Sequence, residues 1–221
     1  MFALNGKMPY EYKCFHVHTE IAPPEPRVEM LEVPLRDGAL NVSSMLSTTV
    51  HYSTREIALG LETTEVRAEW PLIQEALMRD FHGQAVQLTL DDDPEWYWEG
   101  YAVVEQMVDN RGSAGWTIRI TAQPFKRSRE ETAPITVSVG PSYPTTITIP
   151  IEGLRGYPTF MTAASDVSVE YNGTTYAVPS DGSYHEIYGL FLTHGSNQLK
   201  FTYSGEELLV RAYVKLREGT L

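Results

Sequence analysis

The residues closest to a metal-binding pattern are two histidines, His16 and His18, with Val17 between them. Residues i and i+2 of a β-strand point to the same face. Two imidazoles on one face can bind a divalent ion if a carboxylate completes the ligand set, and Glu11 and Glu20 are the nearest carboxylates. Such pairs also arise by chance, so we favour a solvated edge strand and predict no metal site.

A second group of possible metal ligands is the acidic run Asp91-Asp92-Asp93, followed by Glu95. Calcium loops of the EF-hand type need glycine at the sixth position and a bidentate glutamate at the twelfth. Counted from Asp91, those positions hold Trp96 and Ala102. We therefore interpret the run as a turn whose carboxylates accept local hydrogen bonds.

The sequence lacks the usual signals of catalysis. No Gly-x-Ser-x-Gly motif is present, and Cys14, the one cysteine, has no catalytic signature around it. Glycine-rich phosphate-binding patterns are missing, so no cofactor is predicted. A single cysteine excludes an intrachain disulfide and a thiolate zinc site. The sequence neither indicates nor excludes a pair of catalytic acids for glycoside hydrolysis, because such acids are far apart in most sequences. We therefore predict no catalytic residue.

Aromatic residues are frequent, and their rings could stack on sugars. In β-domains such residues are more often half-buried cross-strand pairs, and subunit interfaces are also rich in them. Packing is therefore the favoured role, and binding of a glycan or a protein partner is the alternative. The candidates for that alternative in the second half of the chain are Tyr171, Tyr176, Tyr184 and Tyr188.

Composition limits the possible function classes. The chain has 221 residues, of which 42% are hydrophobic, enough for one large domain or two smaller ones. Its 17 basic and 29 acidic residues give a net charge of −12 at pH 7, and neither half is basic. An acidic surface repels a polyanion, so sequence-specific nucleic-acid binding is not expected. No apolar run approaches the roughly 18 residues of a membrane span, so no membrane insertion is expected.

The first half predicts antiparallel β-structure with one α-helix. Val86–Leu90 alternates apolar and polar residues, an acidic turn follows, and the segments 96–106 and 116–120 complete a three-stranded meander. Between Glu69 and Phe81 apolar residues recur at three- and four-residue steps, which is typical of an amphipathic helix. The residues of that apolar face are Leu72, Ile73, Ala76, Leu77 and Phe81. Gly83 follows as a stop signal.

A charged, proline-ended stretch, 126–134, separates this part from the rest and predicts a domain boundary. Beyond it, short segments rich in Val, Ile, Thr and Tyr predict a small β-sandwich. Asn172-Gly173 is the strongest turn signal, because a type I′ hairpin needs positive φ at both central residues. We therefore expect domains at 1–130 and 134–221.

An ordered set of motifs resembles the distal tail (Dit-like) proteins of long-tailed, non-contractile bacteriophages. In the segment 33–41, Arg36, Asp37 and Gly38 match the turn of that family, and Tyr52 and Arg55 match a later strand that carries an aromatic residue with arginine. The other matching segments in the first half are 69–80, 91–94, 96–100 and 122–126. In the second half, 172–176, 195–199 and 213–221 are similar to the galectin-like domain that ends shorter members.

The resemblance implies an N-terminal β-sandwich or split barrel of the tail-tube type with one α-helix, followed by a C-terminal galectin-like β-sandwich. It implies a structural virion protein, without enzymatic activity, that is made in the host cytoplasm and forms a hexameric ring at the tail tip. The ring would join the tail tube protein to the tail-associated spike or lysin protein, leave a lumen for DNA, and contact the tape-measure and receptor-binding proteins. The implied ring-interface residues are Arg36, Asp37, Gly38, Tyr52 and Arg55.

The alternative function comes from a different class of protein. A carbohydrate-binding module in the second half could recognise cell-wall or capsule glycans of the host through its surface tyrosines.

Overall fold

The computed structural model describes residues 1–32, 34, 37–43 and 50–221. These residues form a mainly antiparallel β structure with an α-helix, which confirms the predicted fold class. The chain divides into two compact units, Met1–Lys126 and Arg127–Leu221. In the part of the chain that the structure describes, no helix is long and apolar enough to span a membrane.

The first unit is built around one antiparallel sheet. Its strands are β1 (Phe2–Leu4), β2 (Phe15–Ile21), β3 (Met30–Glu32), β4 (Ala39–Asn41), β5 (Arg55–Thr63), β6 (Ala85–Leu90), β7 (Asp93–Val104), β8 (Val108–Asp109) and β9 (Ala114–Ala122). The sheet order is β1-β6-β7-β9-β5-β2, and β8 pairs with the start of β9. The predicted meander is therefore present as β6-β7-β9. Strands β3 and β4 form a separate two-stranded sheet.

The predicted helix is α1 (Trp70–Phe81), preceded by a 3-10 turn at Arg67–Glu69. It buries Ile73, Leu77 and Phe81, as the apolar periodicity requires. Leu72, which was assigned to the same apolar face, is instead 59% exposed, because it lies at the margin of that face. Gly83 has a φ of +71° and follows the end of the helix as predicted.

Alternation along the central strands places apolar side chains on one face of the sheet. Ile57 of β5 lies opposite Ile120 of β9, which lies opposite Ala102 of β7, and all three are fully buried. The helix residues Ile73 and Leu77 belong to the same hydrophobic core. Helix α1 therefore covers this face, and the opposite face of the same strands carries polar and charged residues beside the exposed Tyr101 and Val103.

The second unit contains long antiparallel strands around its own hydrophobic core. After β10 (Lys126–Ser128), which spans the unit boundary, its strands are β11 (Ile135–Val139), β12 (Thr145–Thr162), β13 (Val167–Tyr171), β14 (Thr174–Ala177), β15 (His185–Glu186), β16 (Leu192–Tyr203) and β17 (Val210–Thr220). The Asn172-Gly173 turn joins β13 to β14 with φ values of +49° and +78°, so the type I′ prediction is confirmed.

Gly100 of β7 has no room for a side chain. A Cβ there would lie 2.5 Å from the backbone oxygen of Thr121 and 2.8 Å from the Cα of Ala122. We expect Gly100→Ala to lower the free energy of unfolding by about 1–3 kcal/mol, because no rotamer change can relieve a clash with backbone.

Gly115→Ala on β9 is the matched control, since its nearest non-neighbouring atom lies at 3.5 Å. We expect the urea unfolding midpoint of that variant to lie close to that of the wild type. Equal unfolding midpoints for the two variants would contradict the close packing at Gly100.

Candidate functional site

The face of the first sheet opposite helix α1, here named the open face, gathers carboxylates from several strands. Cross-strand partners share a face, and Glu20 of β2 pairs with Ala58, which pairs with Arg119 of β9. The carboxylates of this face include Glu20, Glu56, Glu62, Glu99 and Glu105. Arg119 donates hydrogen bonds to Glu56 and Glu105, which leaves the open face with a negative balance.

Strand β2 is the edge of this sheet next to β5, and it contains a register shift. His16 lies opposite Leu61 and His18 opposite Gly60, so the two histidines point to opposite faces. The expectation that both imidazoles share one face is therefore wrong, because Val17 is bulged. His16 packs edge-on against Phe2 at 5.3 Å and its Nε2 lies 2.8 Å from the hydroxyl of Thr19. The ring of His18 lies directly over Gly60 on the open face.

The chain between β2 and β5 forms an extension, here named the ribbon, whose described residues are 22–32, 34, 37–43 and 50–54. Among the described residues, its hydrogen-bonded pairing begins where Ala22 N donates to Glu56 O. The pairing ends at β3 and β4. Every residue from 25 to 32 is exposed. The apolar residues of that run are Val28 at 51%, Met30 at 57% and Leu31 at 54% exposure. Neither face of this run is therefore covered in the single chain.

Four of the predicted ring-interface residues are described, and they lie on the ribbon and at its base. Asp37 and Gly38 are exposed in the turn between β3 and β4, and the φ of +76° at Gly38 explains why glycine stands there. Arg36 lies outside the described residues. Tyr52 is half-buried, with its ring edge-on to Phe125 at 5.6 Å.

Arg55, at the start of β5, has an unusual environment. It is only 7% exposed, and its Nε is buried without a hydrogen-bond partner among the described residues. Burial lowers the pKa of its guanidinium. A buried cation with an unsatisfied donor costs free energy unless an acceptor reaches it.

A groove of about 320 Å³ runs between helix α1 and the 3-10 turn Pro9–Tyr12, and is here named the helix groove. Its apolar lining comes from Tyr12, Leu72, Ile73 and Ala76. Three cations and three carboxylates stand around this lining, so its charge is balanced: Lys7, Lys13 and Arg79 with Glu11, Glu69 and Asp80.

The carboxylate of Asp80 is the centre of the charged network at the groove. It accepts hydrogen bonds from Lys7 Nζ at 2.7 Å, Tyr12 Oη at 2.8 Å and Arg79 Nε at 2.9 Å. These bonds hold the pKa of Asp80 far below its usual range. Burial, helped by the bond to Asp80, raises the pKa of Tyr12. The network ties the 3-10 turn to the helix.

Asp80→Asn is expected to lower the free energy of unfolding by about 1 kcal/mol at pH 7, because charge-assisted bonds are lost while solvent screens the exposed heads of Lys7 and Arg79. The folded pKa lies below the unfolded value of about 3.9, so this stabilisation is fully present above the unfolded value and is lost progressively as the pH falls from there to the folded pKa. Urea unfolding at pH 7 and pH 3 should therefore show a smaller loss on acidification for the variant than for the wild type.

The control for Asp80→Asn is Glu75→Gln, which removes an exposed carboxylate from the same helix. It should unfold close to the wild type at both pH values. If the wild type and Asp80→Asn lost equal stability between pH 7 and pH 3, Asp80 would not be the group that titrates.

In the second unit, the four candidate tyrosines differ in exposure. Tyr171 is buried, and its hydroxyl donates to Asn197 Oδ1 at 2.6 Å. Tyr176 is half-buried against the hydrophobic core, and Tyr184 is half-buried with Lys215 4.5 Å from its ring centre. Tyr188 is completely exposed. Of the four, Tyr188 offers a free ring to a partner, whereas Tyr171 serves packing.

A polar groove of about 450 Å³ lies beside the Asn172 turn in the second unit. Cross-strand pairing brings together Thr146, Lys200 and Glu170 from β12, β16 and β13, and Lys200 Nζ lies 3.2 Å from the carboxylate of Glu170. Asn197 is buried at its base and is fully engaged within the chain. The groove therefore offers hydroxyl, amide and charged groups to a polar ligand.

The described residues contain no group of three or more His, Cys, Asp or Glu side chains placed to hold a metal ion. Asp91 and Asp92 form the exposed turn between β6 and β7, as interpreted from the sequence. The Cys14 thiol is buried, and burial raises its pKa to about 12, so it is not a nucleophile near neutral pH.

Sequence reasoning missed the open face and the helix groove. The open face draws on β2, β5 and β9, and its carboxylates become neighbours only through the strand register. The helix groove joins residues near 10 to residues near 75. The one available signal was the even spacing of Glu56 and Glu62 in β5, which places both acids on one face of a strand and indicates only a solvated face.

Comparison with known proteins gives a result at the level of the fold. No protein-family model matches the sequence, and a search of curated proteins finds no significant match. Among solved structures, a conserved protein of unknown function from Pseudomonas aeruginosa PAO1 matches with a TM-score of 0.28 and 8% identity, over 91% of this chain and 100% of that one. So low a score supports no argument.

A second solved structure gives a much closer match. The crystal structure of SPP1 Dit, described as a paradigm of the hub adsorption apparatus in phages that infect Gram-positive bacteria, has a TM-score of 0.63 and 14% identity to this chain. The match covers 100% of each chain. The chain therefore has the fold of the phage distal tail protein SPP1 Dit over its full length, as the sequence resemblance predicted.

Proposed function

We propose that this chain is a distal tail protein that forms a hexameric ring at the tip of a phage tail. The observation that carries the proposal is the likeness to SPP1 Dit over the full length of both chains. The ring joins the tail tube protein to the tail-associated spike or lysin protein and to the host-binding components. The tape-measure and receptor-binding proteins are further partners, and DNA leaves through the lumen.

The open face supports a role as a channel wall. One side of the first sheet is covered by helix α1, as the outer side of a channel wall would be. The other side is uncovered and negatively charged, as expected of a surface that faces a water-filled lumen. The negative balance around Glu56, Glu62 and Glu105 would keep DNA from adhering during passage. We assign the open face to the lumen on this ground.

The ribbon and the base of β5 support a role in contacts between subunits. Arg36, Asp37, Gly38, Tyr52 and Arg55 are the proposed ring-interface residues, and Arg55 contributes a buried donor that lacks an acceptor among the described residues. Strand β2 is also an uncovered edge, because its described ladder partner is β5 alone. Uncovered edges favour association with another chain.

The second unit is proposed to be the galectin-like β-sandwich, residues 134–221, placed as a docking surface for host-binding components. Its long antiparallel strands and separate hydrophobic core support an independent domain. The exposed ring of Tyr188 is a candidate contact for such a component.

The mass of the purified full-length chain in solution tests the ring directly. We expect a six-subunit mass and, by electron microscopy, a ring that binds the end of a tail tube assembled from the tube protein of the same phage. A chain that stays monomeric at high concentration and does not bind the tube would overturn the proposal.

The second candidate function is glycan binding by the second unit, and the polar groove beside Asn172 favours it. Hydroxyl, amide and charged side chains at Thr146, Gln198 and Lys200 are the groups that bind sugar hydroxyls. An array of cell-wall and capsule glycans probed with the full chain decides the matter. Binding that Lys200→Ala abolishes would support it, and uniform absence of binding would remove it.

A further inference from the structure

The face of the first sheet that carries the hydrophobic core, here named the core face, has a buried cation at one end. Arg55 points to this face because it is two residues from Ile57, whose side chain lies in the core. It is 7% exposed and is the one nearly fully buried Lys or Arg among the described residues. Ten other Lys and Arg side chains, all more exposed, form ion pairs with carboxylates.

No acid of this chain neutralises Arg55. All 29 Asp and Glu residues lie in the part of the chain that the structure describes, because positions 33, 35, 36 and 44–49 hold none. None of the 29 forms an ion pair with Arg55, and its Nε has no hydrogen-bond partner among the described residues. Arginine stays protonated inside proteins, so the charge persists. A buried charge without a counter-ion is strongly destabilising.

A second buried donor on the core face also lacks an acceptor. Arg55 lies opposite Ala122 of β9, which lies opposite Gly100 of β7. Trp98 is two residues before Gly100, so it occupies the next row of the same face. Its Nε1 is buried without a partner among the described residues. The other such indole, that of Trp116, is six residues from Ala122 along β9, about 20 Å away.

The neighbouring side chains offer donors rather than acceptors. The cross-strand neighbours of Arg55, Ala122 and Gly100, carry no polar side-chain atom. Beside Trp98, the Nζ of Lys126 lies 5.6 Å from the centre of its ring, and that ammonium is paired with the carboxylate of Asp93. This end of the core face therefore has unpaired N–H groups and a cation without an anion.

We propose that this end of the core face, here named the Arg55 site, binds one oxyanion and is stabilised by it. A guanidinium binds a phosphate, sulfate or carboxylate group through two parallel N–H bonds. Because Arg55 is 7% exposed, the site admits one small group and leaves no room for a polymer such as DNA or a glycan chain. The oxyanion is either a free anion or a carboxylate of a neighbouring protein.

Anion-dependent unfolding of the full-length chain tests the site. Tryptophan fluorescence reports on the first unit, which contains all four tryptophans. Sodium phosphate replaces sodium chloride at constant ionic strength and pH 7. We expect the midpoint of thermal unfolding to rise by roughly 5 °C and then to level off, because a ligand that binds only the folded chain stabilises it by mass action. Exclusion of phosphate from the protein surface also stabilises, but without saturation.

Arg55→Met separates binding at the site from the general salt effect. In chloride, we expect this variant to unfold at a higher temperature than the wild type, because an uncompensated buried charge is removed. It should also lose the saturable response to phosphate. Arg27→Met, which replaces an exposed arginine of the same unit, is the matched control and should respond as the wild type does. Saturable responses of equal size in the wild type and Arg55→Met would overturn the inference.

Titration calorimetry of the wild type does not depend on how Arg55→Met folds. With sodium phosphate as the titrant, we expect binding at one site per chain, and sodium sulfate in the cell should compete with it. A wild-type chain that binds none of phosphate, sulfate and acetate would also contradict the proposed site.

Acetate distinguishes the two sources of the oxyanion. If a protein carboxylate fills the site, the isolated chain responds to acetate, and the response disappears when the chain assembles with the protein that supplies the carboxylate. If a free anion fills it, the response to phosphate or sulfate is stronger and persists after assembly. The inference is independent of the proposed ring: a strict monomer can bind the anion, and a ring that binds no anion removes only the Arg55 site.

Discussion

Replacement of Glu56 and Glu105 by lysine should turn a surface that repels DNA into one that binds it. The two carboxylates flank Arg119 on the open face, so the double variant groups three cations where the wild type has one. If the open face lines a six-subunit channel, the change is repeated six times around the lumen. We expect rings of the variant to bind duplex DNA at least a hundredfold more tightly than wild-type rings at low salt.

Fluorescence anisotropy of a labelled duplex, titrated with rings at two salt concentrations, measures this effect. Binding by the variant should weaken steeply as salt rises, because it depends on release of counterions from the phosphates. A phage that carries the variant should also eject its DNA more slowly. The matched control is Asp91→Lys with Asp92→Lys, which makes the same change of charge in an exposed turn. Equal DNA binding by both double variants would show that only net charge matters.

Truncation of one buried aromatic residue in each unit should destabilise that unit alone. Trp116 in the first unit and Phe160 in the second are almost completely buried. Replacement of either by alanine should cost about 3–5 kcal/mol of unfolding free energy in its own unit, because a large cavity forms in a packed core.

Tryptophan fluorescence separates the two units without cutting the chain. The four tryptophans, Trp70, Trp96, Trp98 and Trp116, all lie before residue 127. Phe160→Ala should therefore leave the unfolding transition seen by tryptophan fluorescence unchanged and shift part of the transition seen by far-UV circular dichroism. Trp116→Ala should shift the fluorescence transition. A fluorescence shift of equal size in Phe160→Ala would mean that the two units unfold as one.

The parts of the fold that the sequence predicted depend on local chemistry. The turn at Asn172-Gly173 requires positive φ at adjacent residues, and the helix 70–81 shows its apolar period within three turns. The 18-residue strand β12 does not follow from its local sequence, because Pro150, Gly153 and Gly156 interrupt its apolar pattern. In the structure, the pairing of β12 with β16 shifts its register between Ile151 and Arg155, within the interrupted part of the strand.

The candidate site could not be predicted to the same extent. The bulge at Val17 separates His16 from His18, and nothing in the residues themselves signals a register shift. The acids of the open face and the cations of the helix groove come from segments far apart in the sequence, so their grouping is a property of the tertiary fold. The positive φ at Gly38 followed from turn chemistry and was predictable.

The burial of Cys14 has a consequence for the proposed role in a phage particle. Its sulfur lies 3.4 Å from the carbonyl oxygen of Tyr12, inside the core of the first unit, and its thiol stays protonated near neutral pH. Oxidation and thiol exchange both begin with an accessible thiolate. In the proposed virion, the Cys14 thiol would therefore stay reduced when the particle passes from a reducing cytoplasm into aerated medium, and it would form no disulfide with a neighbouring subunit.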